Sequence, residues 1–190
     1  MKKIIVALVG LIGFSAVSHA QTQQGNVMVG GTISNMDLDL GSSGTFKLDL
    51  SPKAAWFIKD NIALGGYVNL GLVTAKGAGT GVNYGVGALG RYYIADKNAQ
   101  IINKAKFFVE ANVGIEGNNP AQGASTNGLG LGFGPGLAYF VTPNIGLEGL
   151  IKYQGLVGFG DAATNSHLTF GIGFQIYLPG KHVKQMVGVK

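Results

Sequence analysis

Five charged residues interrupt otherwise apolar, alternating stretches of this 190-residue chain: Lys53, Arg91, Glu110, Glu148 and Lys152. Charges withdrawn from water need partners, so three cations and two carboxylates in such places point to an internal ion-pair network. Lys53, Arg91, Glu110 and Glu148 lie at similar depth in their stretches, which suggests one ring. Its role is structural, or, if gated, that of a conduction path. Patterns for bond-making chemistry are weaker. Gly85-Val-Gly87-Ala-Leu-Gly90 spells the dinucleotide fingerprint, but that loop binds a pyrophosphate only where a strand passes into a helix. Here it lies inside an alternating run that ends in Arg91-Tyr92-Tyr93. Ser166 and His167, with Asp161 nearby, hold the residue types of a lipid-acting hydrolase. A nucleophile needs its base in hydrogen-bond reach and a third, orienting group, whereas neighbours in a strand face opposite sides. His182 stands alone in the tail. No metal-ligand spacing is present, and the absence of Cys excludes thiol chemistry, thiolate zinc sites and disulfides. These residues point to no enzyme, no cofactor and no metal.

The elements that position them alternate with period two. Phe46 to Ile58 sets Phe46, Leu48, Leu50, Ala54, Trp56 and Ile58 against Lys47, Asp49, Ser51, Lys53 and Phe57. The same alternation runs over Asn26–Ser34, Ile62–Leu72, Val82–Ile94, Ala105–Glu116, Leu129–Val141, Ile145–Gly155 and Leu168–Leu178, giving eight strands. Membrane strands need ~9–11 residues, and these are long enough. Lys59-Asp60-Asn61 and Thr142-Pro143-Asn144 read as tight turns. Asn35–Gly44, Thr74–Gly81, Gly117–Asn127 and Gly158–Asn165 read as longer loops; Ala95–Lys104 is long but falls on the tight-turn side. An internal repeat pairs Pro52–Gly66 with Pro135–Gly149, identical at seven of fifteen positions, so two four-strand halves are expected.

The N-terminus has the pattern of a cleaved secretory signal: Lys2 and Lys3, an apolar run Ile4–Val17, then Ser18-His19-Ala20. The expected division is a signal at 1–20, a barrel at 21–178 and a basic tail at 179–190. The net charge of +5 belongs to the two ends, because Gln21–Leu178 holds nine basic and nine acidic residues. Basicity is therefore no argument for nucleic acid. Glycine is abundant at 33 residues, and it recurs on the face opposite the aliphatics. Small residues with balanced charge suit a narrow lumen, and uncharged apolar rows suit lipid. A soluble exported barrel, its apolar rows buried, is the competing architecture.

Ser51-Pro52 leading to Trp56-Phe57, Asp60-Asn61-Ile62-Ala63-Leu64-Gly65, Arg91-Tyr92-Tyr93 and Tyr139-Phe140-Val141-Thr142-Pro143-Asn144 carry a resemblance. With the signal, they resemble the small outer-membrane β-barrel family of OmpA/OmpX-type and opacity-protein-like barrels. The resemblance covers Gln21 to Leu178. It implies an all-β, eight-stranded, antiparallel up-and-down transmembrane barrel in a Gram-negative-type outer membrane, with both chain ends in the periplasm. Membrane lipid, the barrel assembly machinery and periplasmic chaperones are the partners it implies. The tail after Leu178 departs from the terminal aromatic strand common in such barrels.

Three expectations follow for the site. Trp56, Tyr92 and Tyr139 form an interfacial girdle on the outward rows near the tight turns. Phe57, Tyr93, Phe108, Phe140 and Tyr177 form an aromatic floor inside, at that same end. Asn69, Asn83, Asn112, Gln154 and the inward glycines line a shallow polar cup above, unless those glycines only relieve crowding. The function expected is structural or surface-interacting, with no enzyme activity and an outer-loop ligand that the residues do not identify. A narrow porin-like channel or small-molecule carrier is the alternative.

Overall fold

A computed structural model describes residues 21–39, 44–77, 79–94, 104–160 and 165–180. The expected signal at 1–20, most of the 95–104 connection, Asp161 and the tail from 181, with His182, lie outside the described residues. Eight strands follow one another: β1 (Val27–Leu38), β2 (Phe46–Lys59), β3 (Ile62–Ala75), β4 (Gly79–Tyr93), β5 (Ala105–Asn119), β6 (Thr126–Thr142), β7 (Ile145–Gly158) and β8 (Asn165–Leu178). Each pairs antiparallel with its sequence neighbour, and β1 closes on β8. Closure satisfies the backbone of every strand and abolishes the sheet edge.

Period two sorts side chains onto two surfaces. On β6, Gly128, Gly130, Gly132, Gly134, Gly136, Ala138 and Phe140 point into the lumen and are buried. The intervening Leu129, Leu131, Phe133, Leu137, Tyr139 and Val141 point outward and are exposed. The same outward apolar belt continues round the barrel, for example Leu64, Val86, Val113, Ile151 and Phe170. Such a continuous exposed apolar surface is far beyond what a soluble monomer carries. The reading with these rows in a buried core is excluded.

The strands run further at the wide end than their apolar alternation suggests. β1 continues to Leu38, β5 to Asn119, and β8 begins at Asn165. The β3–β4 connection, expected at Thr74–Gly81, shrinks to the three residues between Ala75 and Gly79. Ladder hydrogen bonds need no apolar side chains, so Gly, Thr and Asn extend the sheet past the apolar belt.

The repeat is structural as well as textual. In the β2–β3 hairpin the pairing register shifts between Phe57 and Lys59, and in β6–β7 it shifts between Phe140 and Thr142. These are equivalent positions of the two copies. The turn residue Asn61 accepts from the Tyr93 amide at 2.9 Å, and Asn144 accepts from the Tyr177 amide at 2.8 Å. Asn61 takes φ 64°, which asparagine tolerates better than most residues.

Candidate functional site

At the tight-turn end the lumen is filled by rings. Phe57 on β2, Tyr93 on β4, Phe108 on β5, Phe140 on β6 and Tyr177 on β8 are all buried. Their centroids lie 5.9 Å apart for Phe57–Tyr93, 5.6 Å for Tyr93–Phe108, 6.3 Å for Phe57–Tyr177 and 5.2 Å for Phe140–Tyr177. These tilted contacts are the favoured packing of aromatic quadrupoles. The layer exists because its strands place one ring each at the same height, and because Gly136 leaves room: a Cβ there would strike the Phe108 ring.

Directly above lies the charged layer. Arg91 and Glu110 are its hubs. The Arg91 Nη2 donates to Glu110 Oε2 at 2.6 Å and Nη1 donates to Glu148 Oε1 at 2.7 Å. Lys53 Nζ lies 3.0 Å from both Glu110 oxygens, and Lys152 Nζ lies 3.0 Å from Glu110 Oε1. The arrangement is a branched cluster rather than the expected ring, because Glu110 serves three cations while Glu148 serves one. The two layers are joined. Tyr93 and Tyr177 hydroxyls meet at 2.7 Å, Tyr177 donates to Glu148 at 2.9 Å, and Arg91 donates to Tyr93 at 2.9 Å. Arg91 also stacks on Phe108, with Cζ 4.0 Å from the ring centroid. The Arg91 Nη1 donates to Met28 Sδ at 3.3 Å.

Several members of this plug escaped the sequence reading. Met28, Leu89 and Leu150 are buried apolar residues in lumen rows. Tyr67 extends the polar system upward: Lys152 donates to Asn112 at 3.0 Å, Asn112 to Tyr67 at 3.1 Å and Tyr67 to Glu116 at 2.8 Å. Asn112 thus belongs to the plug rather than to the cup. Beneath the floor the segment before β1 folds across the opening. Gln21 and Thr22 are buried, Thr22 accepts from Asn61 N at 2.8 Å and from Lys106 Nζ at 2.9 Å, and Gly25 N donates to Phe57 O at 2.8 Å. That segment has no alternation and left no signal in the sequence.

Trp56, Tyr92 and Tyr139 lie on the outer surface at this same end, each at least 40% exposed. Further outward aromatics, Phe46, Tyr84, Tyr153 and Phe159, stand towards the wide end. There the lumen opens into a polar cavity of ≈ 240 Å³, lined among others by Asp49, Asn69, Asn83, Glu116 and Gln154. His167 reaches this cavity and pairs across the ladder with Gln154, whereas Ser166 pairs with Gly155 on the outward face. The two residues cannot act as nucleophile and base on one substrate atom. The Gly85–Gly90 segment lies inside β4, which continues as strand to Tyr93. Among the described residues no group of three His, Asp or Glu could hold a metal ion.

No protein-family profile and no curated protein matches the sequence. Solved structures do match. Neisserial surface protein A is 16% identical, with a TM-score of 0.56 over 82% of this chain and 97% of that one. The N-terminal β-barrel domain of Pseudomonas aeruginosa OprF is 13% identical, with a TM-score of 0.51 over 82% and 98%. The outer membrane protein OprG from Pseudomonas aeruginosa is 13% identical, with a TM-score of 0.50 over 86% and 99%. The chain has the fold of the small eight-stranded outer-membrane barrels.

Proposed function

We propose that the chain is a non-enzymatic outer-membrane protein with a structural or surface-interaction role, its lumen sealed at the periplasmic end. The observation that carries this reading is the double plug. A layer of touching rings and a layer of buried, mutually paired charges cross the lumen one above the other, and the segment from Gln21 closes the opening below. A conducting pore needs a continuous wet path, and this lumen is filled at two successive levels.

The membrane assignment rests on the outward belt. On β4 the outward aromatics Tyr84 and Tyr92 are eight residues apart. At about 3.3 Å per residue and a tilt of about 40°, that is roughly 20 Å along the barrel axis, close to the ~25 Å apolar band of such barrels. The tight turns and both ends of the barrel lie on one side, the periplasmic one if the chain is exported by residues 1–20. The non-enzymatic part of the reading is supported by Ser166 and His167, which stand on opposite faces of β8.

Purified protein reconstituted in planar bilayers is expected to give no discrete conductance steps. Stable steps, abolished by unfolding, would replace this reading with the narrow-channel one. Boiled and unboiled samples from the outer-membrane fraction should migrate differently in SDS gels. Recovery only in the soluble fraction, without a shift, would overturn the membrane assignment.

A further inference from the structure

The cavity at the wide end plays no part in sealing the lumen, and its lining differs in kind from the floor. Asp49, Asn69 and Gln154 line it, and they also line a chamber of ≈ 30 Å³ beneath, which reaches Lys53 and Lys152. The lower chamber has room for about two waters. The upper one, at ≈ 240 Å³, is smaller than the ~300 Å³ at which drug-sized pockets begin. It suits a ligand of one small ring.

Pairing within the wall leaves a defined set of polar atoms unspent. Ser51 Oγ donates to Asn69 Oδ1 at 2.9 Å, and Thr169 Oγ1 donates to Gln154 Oε1 at 2.9 Å. Both amides therefore have their oxygen occupied and, among the described residues, keep an NH2 group for another acceptor. Asn118 donates to Asn83 Oδ1 at 2.8 Å, which frees the Asn118 oxygen and the Asn83 NH2. Glu116 receives Tyr67 on Oε1 and keeps Oε2. Donors and acceptors thus alternate round one cavity on rigid strands. Below the cup, Lys53, Arg91 and Lys152 are paired with Glu110 and Glu148, and the charged side chains of the cup's own wall are Asp49, which accepts from Asn35, and Glu116. An anionic ligand therefore meets opposition.

We propose that the cup binds a polyhydroxylated ligand without negative charge, the size of a single sugar ring. A hydroxyl both donates and accepts, so it matches a wall that offers amide NH2 groups beside amide and carboxylate oxygens. The five floor rings lie beneath the charged layer, Tyr67 is buried and spends its hydroxyl on Glu116, and Tyr84 borders the cavity from the outward row, so stacking adds little affinity and the dissociation constant is on the order of 1 mM. The proposal rests on the reading above for the cup's access to the exterior, but not for its chemistry. The two fail separately: conductance and membrane partition test the former, a titration in micelles the latter.

The experiment is an NMR titration of the full chain in phosphocholine micelles, which carry no sugar headgroup. Methyl glucopyranoside is the probe, with glucuronate as its anionic counterpart. The expected result is a saturable shift of the Asn69 and Gln154 side-chain amides, with the glycoside at least about fivefold tighter than the anion. Asn69→Leu with Gln154→Leu should weaken it about tenfold, the loss of one to two good hydrogen bonds. Gln154→Leu alone, whose side chain touches the wall through Thr169, serves if the double variant does not fold. Absence of saturation up to the solubility of the glycoside, preference for the anion, or undiminished binding by the folded variants would each overturn the proposal.

Discussion

The hydroxyls of Tyr93 and Tyr177 lie 2.7 Å apart in the centre of the lumen floor. Tyr93 ends the strand that follows the first repeat hairpin, and Tyr177 is the last residue but one of the strand that follows the second. Their amides bind the equivalent turn residues Asn61 and Asn144. The bond therefore links the strands that follow the two repeat hairpins, and it connects them to Glu148 and Arg91 in the charged layer.

Tyr177→Phe removes the donor to Glu148 and the contact to Tyr93 while keeping the ring. A loss of about 1–2 kcal/mol is expected from unfolding in urea with lipid vesicles. Paired with Tyr93→Phe in a double-mutant cycle, it should show coupling of at least about 0.5 kcal/mol. Strict additivity would mean that the hydroxyl pair carries no energy.

Glu110→Gln leaves Lys53, Arg91 and Lys152 without the carboxylate they share. Removing one partner of a buried ion group costs about 3–5 kcal/mol. Lys53→Met should cost less, because Glu110 retains two cations. Equal losses in vesicle unfolding would show that Glu110 is not the hub.

Gly136→Ala places a Cβ against the Phe108 ring, whereas at Gly149 nothing lies within 4 Å of an added Cβ. Overpacking is expected to cost Gly136→Ala about 1–3 kcal/mol, with Gly149→Ala within about 0.5 kcal/mol of the parent. The temperature at which the unboiled gel band is lost reads the difference. Two variants alike would refute the packing argument.

Val113→Arg puts a charge in the middle of the outward belt, opposite Ala88 in the ladder. In a bilayer the midplane cost is about 2–4 kcal/mol, falling to about 0–1 kcal/mol near the interface, where Trp56→Arg provides the comparison. A barrel whose outer face met water would tolerate both, and unfolding in vesicles distinguishes the cases.

Alternation alone made the strands and their two faces legible, because one-residue spacing decides the wall on which a side chain stands. It placed Lys53, Arg91, Glu110, Glu148 and Lys152 in lumen rows, but it carries no information about partners across the barrel. That Glu110 gathers three cations depends on side-chain reach and on Gly132, where a Cβ would crowd Asn112 and Lys152. Tyr67 escaped notice as part of the polar chain because it sits beside Val68 and Asn69 in an ordinary alternating run. Met28, Leu89 and Leu150 escaped for the converse reason: apolar residues in a lumen row leave the expected polar pattern locally ambiguous. The strand ends were misjudged where pairing continues without an apolar row.

The closing seam pairs Val27 with Leu178 and continues to Ser34 opposite Gly171. The first strand therefore finds one of its two neighbours only in the last strand of the barrel to be synthesised. Until then every assembly intermediate carries two open edges, whose amides and carbonyls cannot enter hydrocarbon unsatisfied. Long-range pairing of this kind is slow. Stable insertion thus requires the seam, and a chain truncated before β8 should remain outside the bilayer rather than insert in part.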